Sequence, residues 1–393
     1  MGTQQTALVA VESPIARDPR VRRQIRWLAD EGFAVDCLAV GDPPPEPVRT
    51  HFQLGAPTPR QPWTTLRLHL FTSRRRAFRQ LTLSRFPDEV RQRVRDGAYD
   101  LIVLNDRHFA PWVDDPLDFV PGPRQPRIHL DLHEYFVPRQ RPTSLWRLVT
   151  GAYYRWARSL FGHPAYSSRS TVNSGIARAY ESELGVAELA VVRNAPEYAD
   201  LSPSPLSPGR IRVIHHGAAR WDRGLREVVE AMRMLDERFH MTFMLLGDPG
   251  VEAELRTLIA DLDDRVALVA PVDTESITVA IQQYDLEVMF YPPRTTNLEL
   301  ALPNKLFEAV QARLGLVVGQ SPMMSEIVEH YGNGLVVEGW TGPDLANALR
   351  RLTAADVAGF KTASDAAARD LSAEVERTVF LRSVLGESWA GDR

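Results

Sequence analysis

In ALPNKLFEAV (Ala301–Val310), Lys305 and Glu308 stand near the start of a segment whose apolar residues, Leu302, Leu306, Phe307 and Val310, recur at helical spacing. Three residues apart on a helix, the ammonium and the carboxylate share one face. The pair has two readings. At the end of a buried parallel strand, Lys305 can meet a phosphate and Glu308 can accept the two hydroxyls of a ribose, which makes a nucleotide clamp. On a solvated face, the same residues form an ion pair worth well under about 1 kcal/mol. Pro303 is expected at the first helical position, where its missing N–H is no loss.

A second set lies in HHGAARWDRGLREVVEAM (His215–Met232). The strand IRVIHH is expected to end at Gly217 and a helix to start near Gly224. Glycine allows close backbone approach, and a helix N-terminus offers unpaired N–H groups at its positive end. Arg223 adds a permanent cation, so the turn suits a diphosphate, or else it is a glycine-punctuated turn with a solvated arginine. In the first half of the chain, HLDLHEYF (His129–Phe136) brings Asp131, His133 and Glu134 to a predicted strand end. Alternation turns Asp131 and His133 to one face, where they can instead bond each other and the backbone. In DPRVRRQ (Asp18–Gln24), Asp18 is a candidate N-cap and Pro19 a first helical residue, followed by Arg20, Arg22 and Arg23. Cations in a first turn oppose the dipole unless an anion is near, which points to a phosphate-bearing partner or to a solvated basic face.

These residues need elements to hold them. ALVAVES (Ala7–Ser13), AVDCLAV, YDLIVLN (Tyr99–Asn105), RIHLDLHE (Arg127–Glu134), STVNS (Ser170–Ser174) and AVVRN (Ala190–Asn194) read as buried strands with helices between most of them. Such alternation predicts a parallel, doubly wound sheet. Residues 43–62 are proline-rich and expected to be irregular. EYADLSPSPLSPGR (Glu197–Arg210) reads as a linker. After it the strand–helix alternation restarts and runs through GLVVGQ and GLVVEG. The expected organisation is a first domain over 1–197, a linker over 198–210 and a second domain over 211–372, with a last helical stretch, about 373–393, able to pack back on the first domain. Two such domains leave a cleft at the carboxyl ends of their strands.

Composition bounds the rest. With 44% hydrophobic and 24% charged residues and a net charge of −4, the chain is ordinary globular protein without the field that drives nucleic-acid binding. A single cysteine, Cys37, excludes an intrachain disulfide and suggests a reducing compartment. No apolar run approaches the roughly 18–20 residues of a membrane span. The N-terminus lacks the basic region of a signal peptide, and it fits a loose acylation pattern at Gly2 and Thr6. No HExxH, CxxC, GxSxG or first-strand GxGxxG occurs, and His215–His216 are adjacent and so point to opposite strand faces. Two basic aromatic stretches, Leu66–Phe86 and Ser144–Phe161, either lie on an anionic membrane or pack on the sheet with their arginines in water.

In order along the chain, RDPRVRRQIRWLADEGFAVDCLAV, DLHEYF, TVNSGIARAY, HHGAARWDRGLREVVEAM, MTFMLLGDPG and ALPNKLFEAVQARLGLVVGQ resemble glycosyltransferases of the group-1, or family-4, type, in the branch with PNKLFE. The likeness covers most of the chain. It implies a GT-B fold, an α/β architecture of two Rossmann-like, doubly wound domains facing across a cleft. It implies retaining transfer of a sugar from a nucleotide-diphosphate donor, without cofactor or metal, to a glycan or lipid-linked acceptor in cell-surface polysaccharide or glycoconjugate synthesis. The implied setting is the cytoplasm, with peripheral contact at the inner face of the membrane left open, and nucleic acid is not an expected partner. By the same resemblance, Gly217, Arg223, Gly247, Asp248, Lys305 and Glu308 hold the nucleotide and its diphosphate. His133 lies near the donor sugar, and Asp18, Arg20, Asp131 and Glu134 are acceptor-side candidates. Two departures stand out. The family's second glutamate, eight positions before Glu308, falls on Leu300, so Glu299 or Asn297 takes that place, and the arginine usual after the turn glycine is Ala218, with Arg220 nearby. These departures keep two alternatives open, a catalytically silent GT-B scaffold and a GT-B nucleotide-sugar epimerase.

Overall fold

The computed structural model describes residues 4–57, 62–119, 125–136, 144–262, 264–386 and 389, with backbone alone at 62–66 and 144–150. Gly2 of the acylation pattern lies outside the described residues, and in the basic aromatic stretches the side chains of Leu66 and of residues 144–150 are not described. The chain folds as two compact units, one of residues 1–193 with 377–393, the other of residues 194–376.

The first unit holds seven parallel strands: β1 Thr6–Pro14, β2 Ala34–Val40, β3 Thr50–Gln53, β4 Leu101–Asn105, β5 Arg127–Leu132, β6 Ser168–Thr171 and β7 Leu189–Val191. Their order is 3-2-1-4-5-6-7. The second unit holds six: β8 Ile211–Ala219, β9 Phe239–Gly247, β10 Val266–Val269, β11 Leu286–Met289, β12 Gly315–Gly319 and β13 Gly334–Val337, in the order 10-9-8-11-12-13. Both units are Rossmann-like. In each, the order reverses beside the first strand, between β1 and β4 and between β8 and β11, and such switch points are where helices diverge and ligands bind.

Both faces of each parallel sheet are covered, which is why its strands are apolar runs. In the second unit, alternation sends Val213, Phe243, Val288 and Val317 into one core with the helices Leu225–Met234 and Gly342–Arg350. Their neighbours Ile214, Met244, Met289 and Val318 enter the other core, with Leu306, Phe307 and Val310 of the helix Asn304–Gln311. At the end of the sheet away from the strand carboxyl termini, buried Asp285 binds Arg212 at 2.9 Å and Lys361 at 3.2 Å.

Several boundaries differ from the sequence expectation. Part of the proline-rich stretch forms the edge strand β3, registered from Asp36↔Thr50 to Ala39↔Gln53. The strand expected over Ser170–Ser174 ends at Thr171, because Asn173 turns its side chain onto the Ile176 N–H and caps the helix Ser174–Leu184. β8 does not stop at Gly217: its pairing with β9 continues through Gly217↔Leu245 to Ala219↔Gly247. Pro303 is the N-cap, at φ −77° and ψ 152°, and Asn304 is the first helical residue. Residues 198–210 are bonded along the second unit, with the Ala199 N–H on Gln311, the Ser202 carbonyl on Gln282 and the Ser204 hydroxyl on Lys361.

The helix Ala373–Leu385 delivers Phe380 into the first unit, where it is fully buried with its ring 5.6 Å from Trp27 and 5.7 Å from His129. Phe380→Ala is therefore expected to destabilise the protein by roughly 3–5 kcal/mol, read as a lower midpoint in urea or thermal unfolding; a midpoint within a degree or two of wild type would mean the ring carries no packing.

Candidate active site

The second unit gathers its reactive side chains at the β8–β11 switch point. Gly217 sits there at φ +115°, and a Cβ on it would lie 3.0 Å from both Cε and Nζ of Lys305. The position therefore requires glycine for its backbone and for the room it leaves the lysine. Lys305, buried although charged, places Nζ 3.4 Å from His215 Nε2 and 5.6 Å from the centre of the Tyr291 ring. The Arg223 guanidinium lies over the same ring, 4.8 Å from its centre. Two cations thus lie against one aromatic ring. Asp222 is 3.9 Å from Arg223 and bonds Arg220 instead. The Tyr291 hydroxyl is buried without a hydrogen-bond partner among the described residues.

The adjacent histidines are in opposite states. His215 Nδ1 donates to the Val288 carbonyl at 2.8 Å, which leaves Nε2 as an acceptor toward Lys305. Burial and the Lys305 charge push its pKa well below the ordinary imidazole value. On the other face, His216 Nδ1 lies 2.9 Å from Glu287 Oε2 and its Nε2 lies 2.8 Å from Glu308 Oε2. Only an imidazolium can donate at both nitrogens. Burial opposes that charge, but Glu287, and the bonds to both carboxylates, raise its pKa to about 9.

Among the helices that begin at this end of the sheet without a capping side chain from the N-cap residue are Leu225–Met234, after Gly224, and Asn304–Gln311, after Pro303; Pro322–Tyr331, after Ser321, is another. At six other helices Asp18, Ser73, Asn173, Asp248, Thr341 and Thr353 occupy that position and cap the first turn. Open N–H groups beside two cations make a site for a multivalent anion. Asn297 and Glu299 are exposed on the short helix Thr296–Glu299, in the connection between β11 and Asn304. Gly247 is exposed at φ +130° at the end of β9, and the Asp248 carboxylate caps Pro249–Leu258 through the Gly250 and Val251 N–H groups.

In the first unit, the expected acceptor-side residues are largely bound to one another. Arg20 holds fully buried Asp131 with two bonds of 2.8 Å and reaches the Val192 carbonyl. Gln24, Ser170 and His133 also approach that carboxylate, at 2.6, 2.8 and 3.2 Å. Burial opposes the charge of Asp131, yet Arg20 and His133 hold its pKa well below the usual range. Arg20 and Asp131 therefore orient His133 instead of reaching a ligand. The anions beside Arg20 and Arg22 of the first turn are the protein's own, Asp131 for Arg20 and Glu46 for Arg22, and Glu46 also binds Arg26 farther along the helix, so these two arginines already have partners without a phosphate. Asp18 caps Val21 and accepts from Ser13 Oγ at 2.5 Å. Glu134 is exposed, and its carbonyl accepts from Tyr180. His133 remains partly open, with Nε2 3.1 Å from Asn105 Oδ1, and Asp131 raises its pKa against the effect of burial.

Residues 210–355 match the family model of the group 1 glycosyl transferases. Residues 210–355 are a group 1 glycosyl transferase domain. The comparison with curated proteins returned no match. Among solved structures, the chain is similar to sucrose-phosphate synthase from Thermosynechococcus elongatus, at 17% identity and a TM-score of 0.69, covering 96% of this chain and 97% of that one. It is similar to Anabaena HepE in complex with UDP and glucose, at 17% identity and a TM-score of 0.68 over 97% and 99% of the two chains. It is also similar to WaaG, a glycosyltransferase involved in lipopolysaccharide biosynthesis, at 13% identity and a TM-score of 0.64 over 95% and 99%. At these identities the likeness is one of fold, and it extends the GT-B fold of the transferase over nearly the whole chain.

Several candidate site residues escape a reading of the sequence. His216 looked like half of an inert pair, and its partner Glu287 was an unremarked charge inside the apolar strand LEVM. A carboxylate within such a run is itself a signal, since an unpaired buried charge is prohibitive. In the first unit, Glu12, Asp106 and His108 meet at the β1–β4 switch point, with His108 Nδ1 2.9 Å from Glu12 and 3.3 Å from Asp106. Burial opposes the His108 charge, but both carboxylates raise its pKa to about 9, and its hydrogen bond is the largest influence lowering Glu12 to about 2. Among the described residues, no group of three or more His, Cys, Asp or Glu side chains could hold a metal ion.

Gly224 sets how closely the Leu225 helix approaches β11. It sits at φ +74°, and an added Cβ would lie 1.8 Å from the Phe290 carbonyl oxygen. Gly224→Ala is expected to destabilise the protein by at least about 2 kcal/mol through strain and displacement of the helix start; chemical unfolding that shows no loss would overturn the role given to this contact.

Proposed function

We propose that the chain is a retaining glycosyltransferase that uses a nucleoside-diphosphate sugar. The observation that carries this reading is the meeting of two uncapped helix N-termini with Arg223 and Lys305 at the switch point of the transferase domain, beside the Glu308 carboxylate. In this reading, the open N–H groups and both cations hold the diphosphate, and Glu308 accepts the ribose hydroxyls. Glu299 or Asn297 serves the transferred sugar, and Gly247 lies near the base. The acceptor is assigned to the first unit, at the carboxyl ends of β1, β4 and β5. The sugar C1–O bond to the leaving diphosphate breaks as the acceptor oxygen bonds C1 on the same face, and the acceptor proton passes to the leaving phosphate oxygen. Arg223, Lys305 and the helix ends stabilise the charge that develops there, without a metal.

The test is a thermal-shift series with UDP, GDP, ADP, dTDP and CMP on wild type, Arg223→Ala and Glu308→Ala. A ligand at about 100 times its Kd stabilises by roughly 2.7 kcal/mol. One diphosphate should raise the melting temperature of wild type, and the rise should shrink sharply in both variants. No shift with any nucleotide would favour the silent-scaffold alternative. With the sugar donor, release of free nucleotide together with a glycoside would exclude an epimerase.

A lipid-linked acceptor is supported by one surface of the first unit. Leu70 and Phe71, at the end of the helix Pro62–Phe71, are 52% and 77% exposed, and the exposed Arg74 and Arg76 follow at once. No helix among the described residues is long and apolar enough to cross a membrane, so contact would be peripheral. Sedimentation with vesicles of anionic lipid should capture wild type and fail with Phe71→Asp/Arg74→Glu/Arg76→Glu; equal capture of both proteins would remove this surface from the proposal.

A further inference from the structure

Glu287, His216 and Glu308 form a line from the interior of the second unit to its surface. Their side chains are 0%, 3% and 15% exposed. Glu287, on β11, is anchored twice to β8, since its Oε1 accepts from the His216 N–H at 3.3 Å and its Oε2 faces His216 Nδ1 at 2.9 Å. The imidazole ring is thereby fixed in place and in plane. Its far nitrogen then holds Oε2 of Glu308 at 2.8 Å, while Oε1 of Glu308 bonds none of the described residues. A carboxylate at the rim of a site is otherwise free to rotate about its last two bonds, and freezing it in advance removes an entropic cost from binding.

We propose that His216 is a positioning residue: bridged between Glu287 and Glu308, it fixes the Glu308 carboxylate for the ribose of the nucleotide without touching the nucleotide itself. The proposal rests on the nucleotide-sugar reading of this site. Buried as it is and bonded at both nitrogens, His216 has no atom left for a ligand. Its influence passes through the one carboxylate oxygen it holds. The groups facing it are Glu287 from β11 and Glu308 and Lys305 from the helix Asn304–Gln311, with His215 beside it on its own strand. Burial and Lys305 oppose the protonated ring and Glu287 and Glu308 favour it, with the balance giving a pKa of about 9. The bridge is therefore intact at neutral pH and loses one of its two donors as the pH rises through that value.

The experiment measures the Kd of the full-length protein for whichever of UDP, GDP and ADP binds wild type, by titration calorimetry from pH 7 to pH 9.5, for wild type, His216→Asn and His216→Gln. An asparagine amide reaches about as far as Nδ1 and serves Glu287 alone. A glutamine amide reaches about as far as Nε2 and can still donate to Glu308. Loss of a hydrogen bond to a charged group should weaken His216→Asn by roughly tenfold or more at pH 7, while His216→Gln stays within about threefold of wild type. Wild-type affinity should fall toward pH 9.5, and that of His216→Gln should stay flatter. Lys305 is present in both proteins, so the difference between the two profiles belongs to His216.

Equal affinity and equal pH profiles in all three proteins would overturn the proposal. So would equal weakening of both variants, which would make His216 a general support of the fold. If His216→Asn does not fold, the comparison of wild type with His216→Gln across pH decides alone, and matching profiles overturn the proposal. Wild type that binds none of the three nucleotides would instead overturn the donor reading, and this proposal with it.

Discussion

The second unit depends on how β8 and β11 are joined where the strand order reverses. Their backbone register runs over Leu286↔Val213 and Glu287↔Ile214. Beyond it, carboxylates of β11 take over from carbonyls. Asp285 accepts from the Arg212 N–H at 2.8 Å, and Glu287 accepts from the His216 N–H at 3.3 Å. Side-chain carboxylates inside a sheet need cations, and both have them: Asp285 has Arg212 of β8 and Lys361 of the helix Ala354–Ala367, and Glu287 has His216. The strands are thus held by charge where they separate, and their separation opens the space in which Gly217, Lys305 and Tyr291 stand.

Once that join is fixed, the neighbouring histidines are forced apart in character. The alternation of a strand puts His215 among Phe243, Tyr291 and Lys305, where a proton is disfavoured, and His216 between two carboxylates, where it is favoured. A neutral acceptor beside the lysine keeps its ammonium directed without neutralising it. A charged donor beside Glu308 keeps the carboxylate directed. Both effects come from a single register, and a one-residue slip of β8 would exchange them.

What could be read from the sequence followed from local chemistry. Apolar runs flanked by glycine and cap residues marked the strands and helices, and Arg223, Lys305 and Glu308 stood out as candidates because they lie at or near a helix start, whereas Gly217 proves to lie inside β8. Residues whose meaning depends on a distant partner were not legible. Glu287 and His216 are 71 positions apart, and Glu12 and His108 belong to different strand ends. Nothing local announces that Asp131 binds Arg20 across 111 positions, so both looked available to a ligand when each already held the other. The same blindness explains β3, whose four residues gain strand character only by lying against β2.

The two units also differ in the charge they leave available, taken each by itself. In the first, buried Arg20 is matched by Asp131, and half-buried Arg22 and Arg91 by Glu46 and Asp118. What remains partly exposed at its switch point is Glu12, Asp106 and His108, groups suited to hydroxyls. In the second, Arg223 and Lys305 lie on an aromatic ring and not on carboxylates, beside helix ends that add further positive potential. Cation–π contact positions a cation without cancelling its charge, so such a site stays electrostatically unfinished until an anion arrives. This asymmetry supports an anionic donor for the transferase domain and a hydroxylated acceptor for the first unit. Cations and glycines at a helix start have few purposes, whereas carboxylates at a strand end have many, so the second unit's residues suggest one kind of ligand more narrowly than the first unit's do.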